Sequence, residues 1–289
     1  MTATATASRH IVLTGATGQI APLVVRHLAA HHRVTLTSRT PRPVTGHPGI
    51  RHVACDYDAP GSLADAFSGA DALFVVTNDP TRPEHDRNIL RAAVDASVGH
   101  IVKLSAAAVR DSAAKDLVTE WQRVNEERIM RSGIPWTMIQ PRLFMSHALA
   151  WASGIRERGV AHALHPHSRN ACIAPEDIAE ASARVLGEAA HHFRSYELTG
   201  PQSLTAHDQC AVLAELLGRP LVCRELSREE AHASYARRYS TAMADALVAS
   251  AERQLAGAKA RTTDTVERLT GRPATTFARW AAGHRDRFA

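Results

Sequence analysis

The chain has 289 residues, 45% hydrophobic and 22% charged, the balance of one large or two modest globular domains. No apolar run reaches the roughly 18 residues of a membrane span, and residues 1–8, small and polar, lack the apolar stretch of a secretory signal and read as a disordered start. The net charge of +5 comes from scattered arginines with acids nearby and from three lysines, Lys103, Lys115 and Lys259, without the basic run of a nucleic-acid-binding surface.

The first half alternates short apolar runs with helical patterns. Candidate strands are H-I-V-L-T (10–14), V-T-L-T-S (34–38), A-L-F-V-V-T (72–77), H-I-V-K-L-S (100–105) and W-T-M-I-Q (136–140). Continuous apolar runs suit strands buried on both faces of a parallel sheet. Helices are expected over 19–30, where Pro22 falls in a first turn, over 84–97, and over 113–132, with Gly133 and Pro135 as stop signals. Repeated strand-helix-strand units predict a doubly wound α/β fold, a parallel Rossmann sheet whose right-handed crossovers put the loop after each strand along one edge.

After about residue 145 helices dominate: 146–157, 175–187, 205–217, 227–238, 241–259, 263–270 and 275–287, with short strands near 195–199 and 220–225. The expected organisation is a nucleotide-binding domain over 9–145 and a smaller, mainly helical substrate-binding region over 146–289, which can return strands to the sheet. The four cysteines, Cys55, Cys172, Cys210 and Cys223, are widely spaced and form no C-x-x-C, so neither a zinc site nor a disulfide framework is indicated and a cytoplasmic location is expected.

V-L-T-G-A-T-G-Q-I-A (12–21) follows the first strand and opens a helix. Gly15 and Gly18 permit a tight turn and close backbone approach, and a pyrophosphate then meets free N–H groups at a helix N-terminus. Ala21 stands at the third small position, where alanine is an accepted variant. Gly15, Thr17, Gly18, Gln19 and Ile20 are therefore assigned to the dinucleotide. The second strand ends T-S-R-T-P-R; Ser38 and Arg39 stand where an acid would hold a ribose hydroxyl, which favours NADP over NAD. Asp56 and Tyr57, in C-D-Y-D (55–58), stand where a third strand ends; Asp56 either accepts from the adenine amino group or is a turn residue. Thr77 and Asn78 end the next strand and are expected to line the cofactor channel.

Four further stretches carry a resemblance. S-G-I-P-W-T-M-I-Q-P-R-L-F-M (132–145) is similar to S-G-x-x-x-T-x-L-R-P-x-x-F-M, with Gln140 in place of the arginine; I-A-P-E-D-I-A (173–179) is similar to V-x-x-x-D-I-A. With the glycine loop, Y-E-L-T-G-P-Q-S-L-T (196–205) and L-T-G-R-P-A-T-T-F-A-R-W (269–280), they resemble the NmrA-like, atypical short-chain dehydrogenase/reductases over essentially the whole chain. The resemblance implies NAD(P) binding, Pro141 included, and small-molecule reduction or nucleotide sensing.

Ordinary short-chain dehydrogenases use Tyr and Lys four apart on one helix face. Here Tyr57, Tyr196, Tyr235 and Tyr239 are followed four residues on by Gly61, Gly200, Tyr239 and Met243, so no such pair exists. The family helix often carries W-H-x-x-x-E; this chain has W-Q-R-V-N-E-E-R (121–128), in which Trp121 and Glu126 match and Gln122 replaces the histidine. Gln122 can orient a substrate carbonyl but cannot titrate; Glu126 and Glu127 are either functional or a solvated face. Ser105 either hydrogen-bonds a carbonyl or the nicotinamide amide, or caps a turn. A-H-A-L-H-P-H-S (161–168) lacks metal-binding spacing and reads as a loop because of Pro166. His165 and His147 are candidate acid/base or substrate groups set against surface histidines, and Phe144, Met145 and Trp151 line either a pocket or the core.

The expected function is an NAD(P)H-dependent oxidoreductase acting on a small aromatic, quinone-like, enone or ketone substrate. A non-catalytic NAD(P) sensor and a cofactor-retaining lyase, epimerase or cyclase are the alternatives. No nucleic acid, membrane or metal partner is expected, and the oligomeric state is open between monomer and homodimer.

Overall fold

The computed structural model describes residues 8–44 and 46–289, so the expected disorder of residues 1–7 lies outside the described residues. Seven strands form one sheet in the order β3-β2-β1-β4-β5-β6-β8: β1 (His10–Leu13), β2 (Arg33–Ser38), β3 (Ile50–Ala54), β4 (Ala72–Val75), β5 (Ile101–Leu104), β6 (Trp136–Pro141) and β8 (Arg194–Leu198). The pairs from β3 through β6 are all parallel. Two further strands, β7 (Val160–Leu164) and β9 (Val222–Leu226), pair in parallel by themselves. The strand order reverses between β1 and β4, the switch point at which doubly wound sheets bind nucleotides.

The chain divides into two compact units that interleave in sequence, where the sequence reading drew one boundary after residue 145. The first contains residues 1–105, 121–140 and 178–196; the second contains 106–120, 141–177 and 197–289. The strand β8 returns the chain to the sheet and brings 178–196 with it. In the first unit, α1 (Ala21–Leu28), α2 (Pro60–Phe67), α3 (Pro83–Asp95) and most of α4 (Leu117–Met130) surround the sheet. The apolar strand runs meet Leu63, Phe67, Ile89, Ala93 and Ile129 in one buried cluster, the pattern that strands apolar on both faces require.

In the second unit, residues 145–151 form a 3₁₀ helix before α5 (Ala152–Arg158), so the expected helix over 146–157 is tighter in its first half. The helix α6 (Pro175–Gly187) starts in this unit and lies mostly in the first; α7 (Ala206–Leu217), α8 (Arg228–Ala236), α9 (Thr241–Leu255), α10 (Thr265–Thr270), α11 (Phe277–Gly283) and α12 (Arg285–Phe288) belong to the second, the last two breaking at Gly283–His284 what was expected as one helix over 275–287. Residues 161–164, read from sequence as loop, are strand: backbone pairing with β9 overrides the loop signal of Pro166, which lies just past the strand end. Among the described residues no helix is long and apolar enough to cross a membrane.

Candidate functional site

The glycine loop is braced from beneath. The Thr14 hydroxyl lies 3.1 Å from the carbonyls of Phe74 and Val76 and accepts the Val76 N–H at 2.7 Å. Gly15 turns with φ +69°, and a Cβ there would stand 3.1 Å from Val76 Cβ. A Cβ at Gly18 would stand 3.2 Å from the Gly15 carbonyl, to which the Gly18 N–H donates at 2.9 Å. Only glycine tolerates both constraints at Gly15. The N–H groups of Thr17 and Ile20 have no acceptor among the described residues, and α1 carries neither a side-chain cap nor an acidic residue in its first turn. This open, electropositive helix start fits a pyrophosphate. The Gly15 N–H donates to the Tyr57 hydroxyl at 3.2 Å, so Tyr57 borders the same loop. Burial raises the Tyr57 pKa and keeps the phenol protonated.

At the end of β2, the Ser38 hydroxyl donates to the Thr40 carbonyl at 3.0 Å and lies 2.7 Å from His52 Nε2. The Arg42 N–H donates to His52 Nδ1 at 3.1 Å, which leaves the proton of a neutral imidazole on Nε2. Burial lowers the His52 pKa and favours that neutral form. His52 thus ties down the turn that carries Arg39, whose side chain is exposed. Asp56 Oδ1 accepts the Asp58 N–H at 3.1 Å, the turn role among its two readings. Nearby, Asp58, Glu84 and His85 offer ligand atoms within 4.8 Å of one another, but Arg82 pairs with both carboxylates, at 2.7 and 2.9 Å.

A buried polar cluster collects where β4, β5 and β6 end. Lys103, fully buried in β5, donates to the Leu104 carbonyl at 2.9 Å and to Thr77 Oγ1 at 3.3 Å, and its Nζ lies 5.3 Å from the centre of the Trp121 ring. The Thr77 hydroxyl donates to Asp86 Oδ1 at 2.7 Å, and Trp121 Nε1 donates to Asp86 Oδ2 at 2.9 Å. Burial pushes the Lys103 pKa down, opposed by Asp86 and Glu126. Glu126 accepts both hydrogen bonds of the Gln140 amide, at 2.8 and 3.0 Å. It is buried, whereas Glu127 is exposed and pairs with Arg131 at 2.6 Å; the solvated-face reading holds for Glu127 alone. The Ser105 hydroxyl, the Gln122 carbonyl oxygen and the Asn125 amide nitrogen are buried without a hydrogen-bond partner among the described residues. Unmatched buried polar atoms of this kind are costly, and a bound ligand can satisfy them. Asn78 is exposed in the loop between β4 and α3.

In the second unit, Pro141 is buried at the end of β6, and Phe144 makes an isolated bridge to Ile173. Met145 lies in the apolar core with Ile155 and Trp280, and Trp151 packs against that core, which is the packing alternative for both. His165 occupies a tight turn with φ +53° and stands 4.0 Å from Glu225. The His147 ring is reachable by solvent and lies 5.9 Å from the Phe144 ring, yet surrounding protein and the nearby Lys259 push its pKa down.

Reading the sequence missed Asp86, Lys103 and Asn125 of the buried polar cluster. A signal existed for Lys103: the chain has three lysines, and this one stands inside an apolar strand run. A family model described as NAD(P)H-binding matches residues 15–189. The chain is 42% identical over 280 residues to the (4-alkanoyl-5-oxo-2,5-dihydrofuran-3-yl)methyl phosphate reductase of Streptomyces griseus, covering 96% of this chain and 99% of that one. It is 30% identical over 288 residues to the NAD(P)H azoreductase of Xenophilus azovorans, covering 96% and 99%. Among solved structures, the NADPH-dependent quinone oxidoreductase of Escherichia coli complexed with NADPH superposes with a TM-score of 0.83 at 26% identity, covering 95% and 99%.

Proposed function

We propose, for a chain that belongs to the NAD(P)H-binding family and is an NAD(P)H-dependent reductase of the NmrA-like type, that its substrate is a small butenolide bearing a phosphate ester, reduced at the ring double bond. The observation that carries this reading is the 42% identity, over 99% of its length, to a reductase named for such a compound. The same compound class suits a site without the usual acid. Its double bond is conjugated to two carbonyls, so the negative charge that arrives on reduction is shared between two oxygens. A strong protein acid is then unnecessary, in keeping with the absence of Tyr-x-x-x-Lys.

Bound NAD(P)H supplies the hydride. The glycine loop and the start of α1 hold its pyrophosphate through the free N–H groups of Thr17 and Ile20. Arg39, on the turn secured by His52, selects the 2′-phosphate of NADPH. The uncommitted hydroxyl of Ser105 and amide oxygen of Gln122 orient the groups that enter beside them. Gln122 moves no proton. Glu126 acts as a positioning residue, since its carboxylate is taken by Gln140.

NADPH oxidation is to be followed with an alkanoyl butenolide phosphate, its dephosphorylated form, a naphthoquinone, an azo dye and a simple ketone. The expected order of kcat/KM places the butenolide phosphate first and the ketone last. A butenolide phosphate reduced no faster than the quinone overturns the reading. Gln122→Ala should lower kcat/KM about tenfold, the scale of one lost hydrogen bond; unaltered turnover removes Gln122 from the site.

A further inference from the structure

We propose that Lys259 and Ser250, both in the second unit, form the receptor for the substrate's phosphate; this rests on the butenolide phosphate reading above. The first observation is a charge without a counter-charge. Lys259 follows α9, and its Nζ donates to Ser250 Oγ at 2.6 Å, with no carboxylate within ion-pair distance among the described residues. The acids of the neighbourhood are already engaged. Asp116 and Asp111 pair with Arg253 at 2.8 and 3.3 Å, and Glu197 pairs with Arg142 at 2.8 Å and with Arg261. Each of these three carboxylates is thus taken by an arginine, and none pairs with Lys259.

The second observation is that this ammonium is held in place and poorly hydrated. The Lys259 carbonyl accepts the Ala171 N–H at 3.0 Å, which anchors its backbone. Burial and the neighbouring Arg253 and Arg142 push its pKa down to about 8, with Asp116 and Cys172 opposing. A cation in that setting costs free energy until an anion joins it.

The third observation is the donor set. Lys259 has three N–H donors and spends one on Ser250. Ser250 receives that bond and keeps its own O–H to donate. A point charge with a hydroxyl beside it suits the several oxygens of a phosphate monoester dianion. A neutral ketone or quinone offers too few acceptors to use it.

The test separates the receptor from the substrate assignment. Methyl phosphate is titrated by calorimetry into protein saturated with NADP⁺, so that the glycine loop is already filled. Binding is expected for the native chain, about 100-fold weaker for Lys259→Gln, the loss typical of a charged hydrogen-bond partner. Ser250→Ala should weaken it by about tenfold, and Lys259→Arg should restore part of it. Lys115→Gln, at an exposed lysine paired with Glu120, should leave it unchanged. In turnover, the preference for butenolide phosphate over its dephosphorylated form should collapse in Lys259→Gln, mainly through KM. A phosphate preference that survives in both Lys259→Gln and Ser250→Ala overturns the receptor while leaving the substrate reading intact. Lys259-dependent binding of methyl phosphate without turnover of the butenolide supports the receptor and overturns the substrate reading. Absence of methyl phosphate binding to the native chain overturns the receptor outright.

Discussion

Lys103 and Lys259 are both withdrawn from water, and they are treated in opposite ways. Lys103 is matched from within its own unit: a carbonyl and a threonine accept its protons, the face of Trp121 covers it, and Asp86 supplies the balancing charge through Thr77. Lys259 has one hydroxyl and two arginine neighbours, and Asp116, the acid that acts on it, is already paired with Arg253. A buried cation whose partners are built in is structure, and removing its partners damages the fold. A cation left without a counter-charge is a binding site waiting for one. The same division appears inside the first unit, where Arg39 is exposed on a turn that other residues hold rigid.

The most severe break of this contrast is Asp86→Asn. It leaves the Lys103 ammonium with only Glu126 to oppose its burial, and a loss of about 3–5 kcal/mol is expected, roughly 10 °C in Tm by thermal unfolding. Lys103→Met should cost less, because Asp86 keeps the donors of Thr77 and Trp121. If Asp86→Asn unfolds at the native temperature, Lys103 is not held as a committed cation.

A third buried base solves the same problem by staying neutral. His100, just before β5, donates from Nε2 to Thr137 Oγ1 at 2.9 Å, since the Thr137 hydroxyl itself donates to the His191 carbonyl, and its ring lies 4.4 Å from the His192 ring. Burial, then His192, Arg9 and His191, push its pKa from 6.5 down to about 3. The folded pKa lies below the unfolded one, so the unfolded chain binds the proton first. Stability is therefore present above pH 6.5 and is lost as pH falls from 6.5 toward 3. At pH 5 the loss from His100 is about 2 kcal/mol. Chemical denaturation of His100→Gln at pH 7 and pH 5 should show a correspondingly smaller decline; an equal decline places the acid sensitivity elsewhere.

Arg39→Asp tests an uncommitted cation against the cofactor. The ratio of kcat/KM for NADPH over NADH should fall at least tenfold, as expected for one charge-assisted contact, with little change in Tm. A retained NADPH preference removes Arg39 from the phosphate contact. The smallest expected effect is on the stability of Lys259→Gln: a Tm unchanged or slightly raised, because no internal ion pair is lost. A large fall in Tm would make Lys259 a committed cation like Lys103 and end the contrast.

Much of the first unit was legible in the chain. Strand runs apolar on both faces, and a glycine turn between strand and helix, are local patterns, and local patterns carry parallel sheets and phosphate loops. The strand at 160–164 was not legible, because its evidence is a partner at 222–226, while its own residues end at a proline-containing turn. The assignment of Glu126 illustrates the same limit. Trp121 and Glu126 could be placed on one helix, but that Glu126 is buried against Gln140 and Glu127 is not depends on which face the helix turns to β6.

By itself, then, the sequence determined the nucleotide-binding fold, the loop at Gly15, the arginine at the end of the second strand and the absence of a Tyr-Lys pair. All are properties of residues close together in the chain. The tertiary structure decided which charges are paired. Asp86 reaches Lys103 through Thr77 and Trp121, and Lys259 finds Ser250 but, among the described residues, no acid within ion-pair distance, across separations along the chain that no spacing rule spans. Whether a lysine is structural or free to bind depends on its solvation and its neighbours, and folding alone sets both.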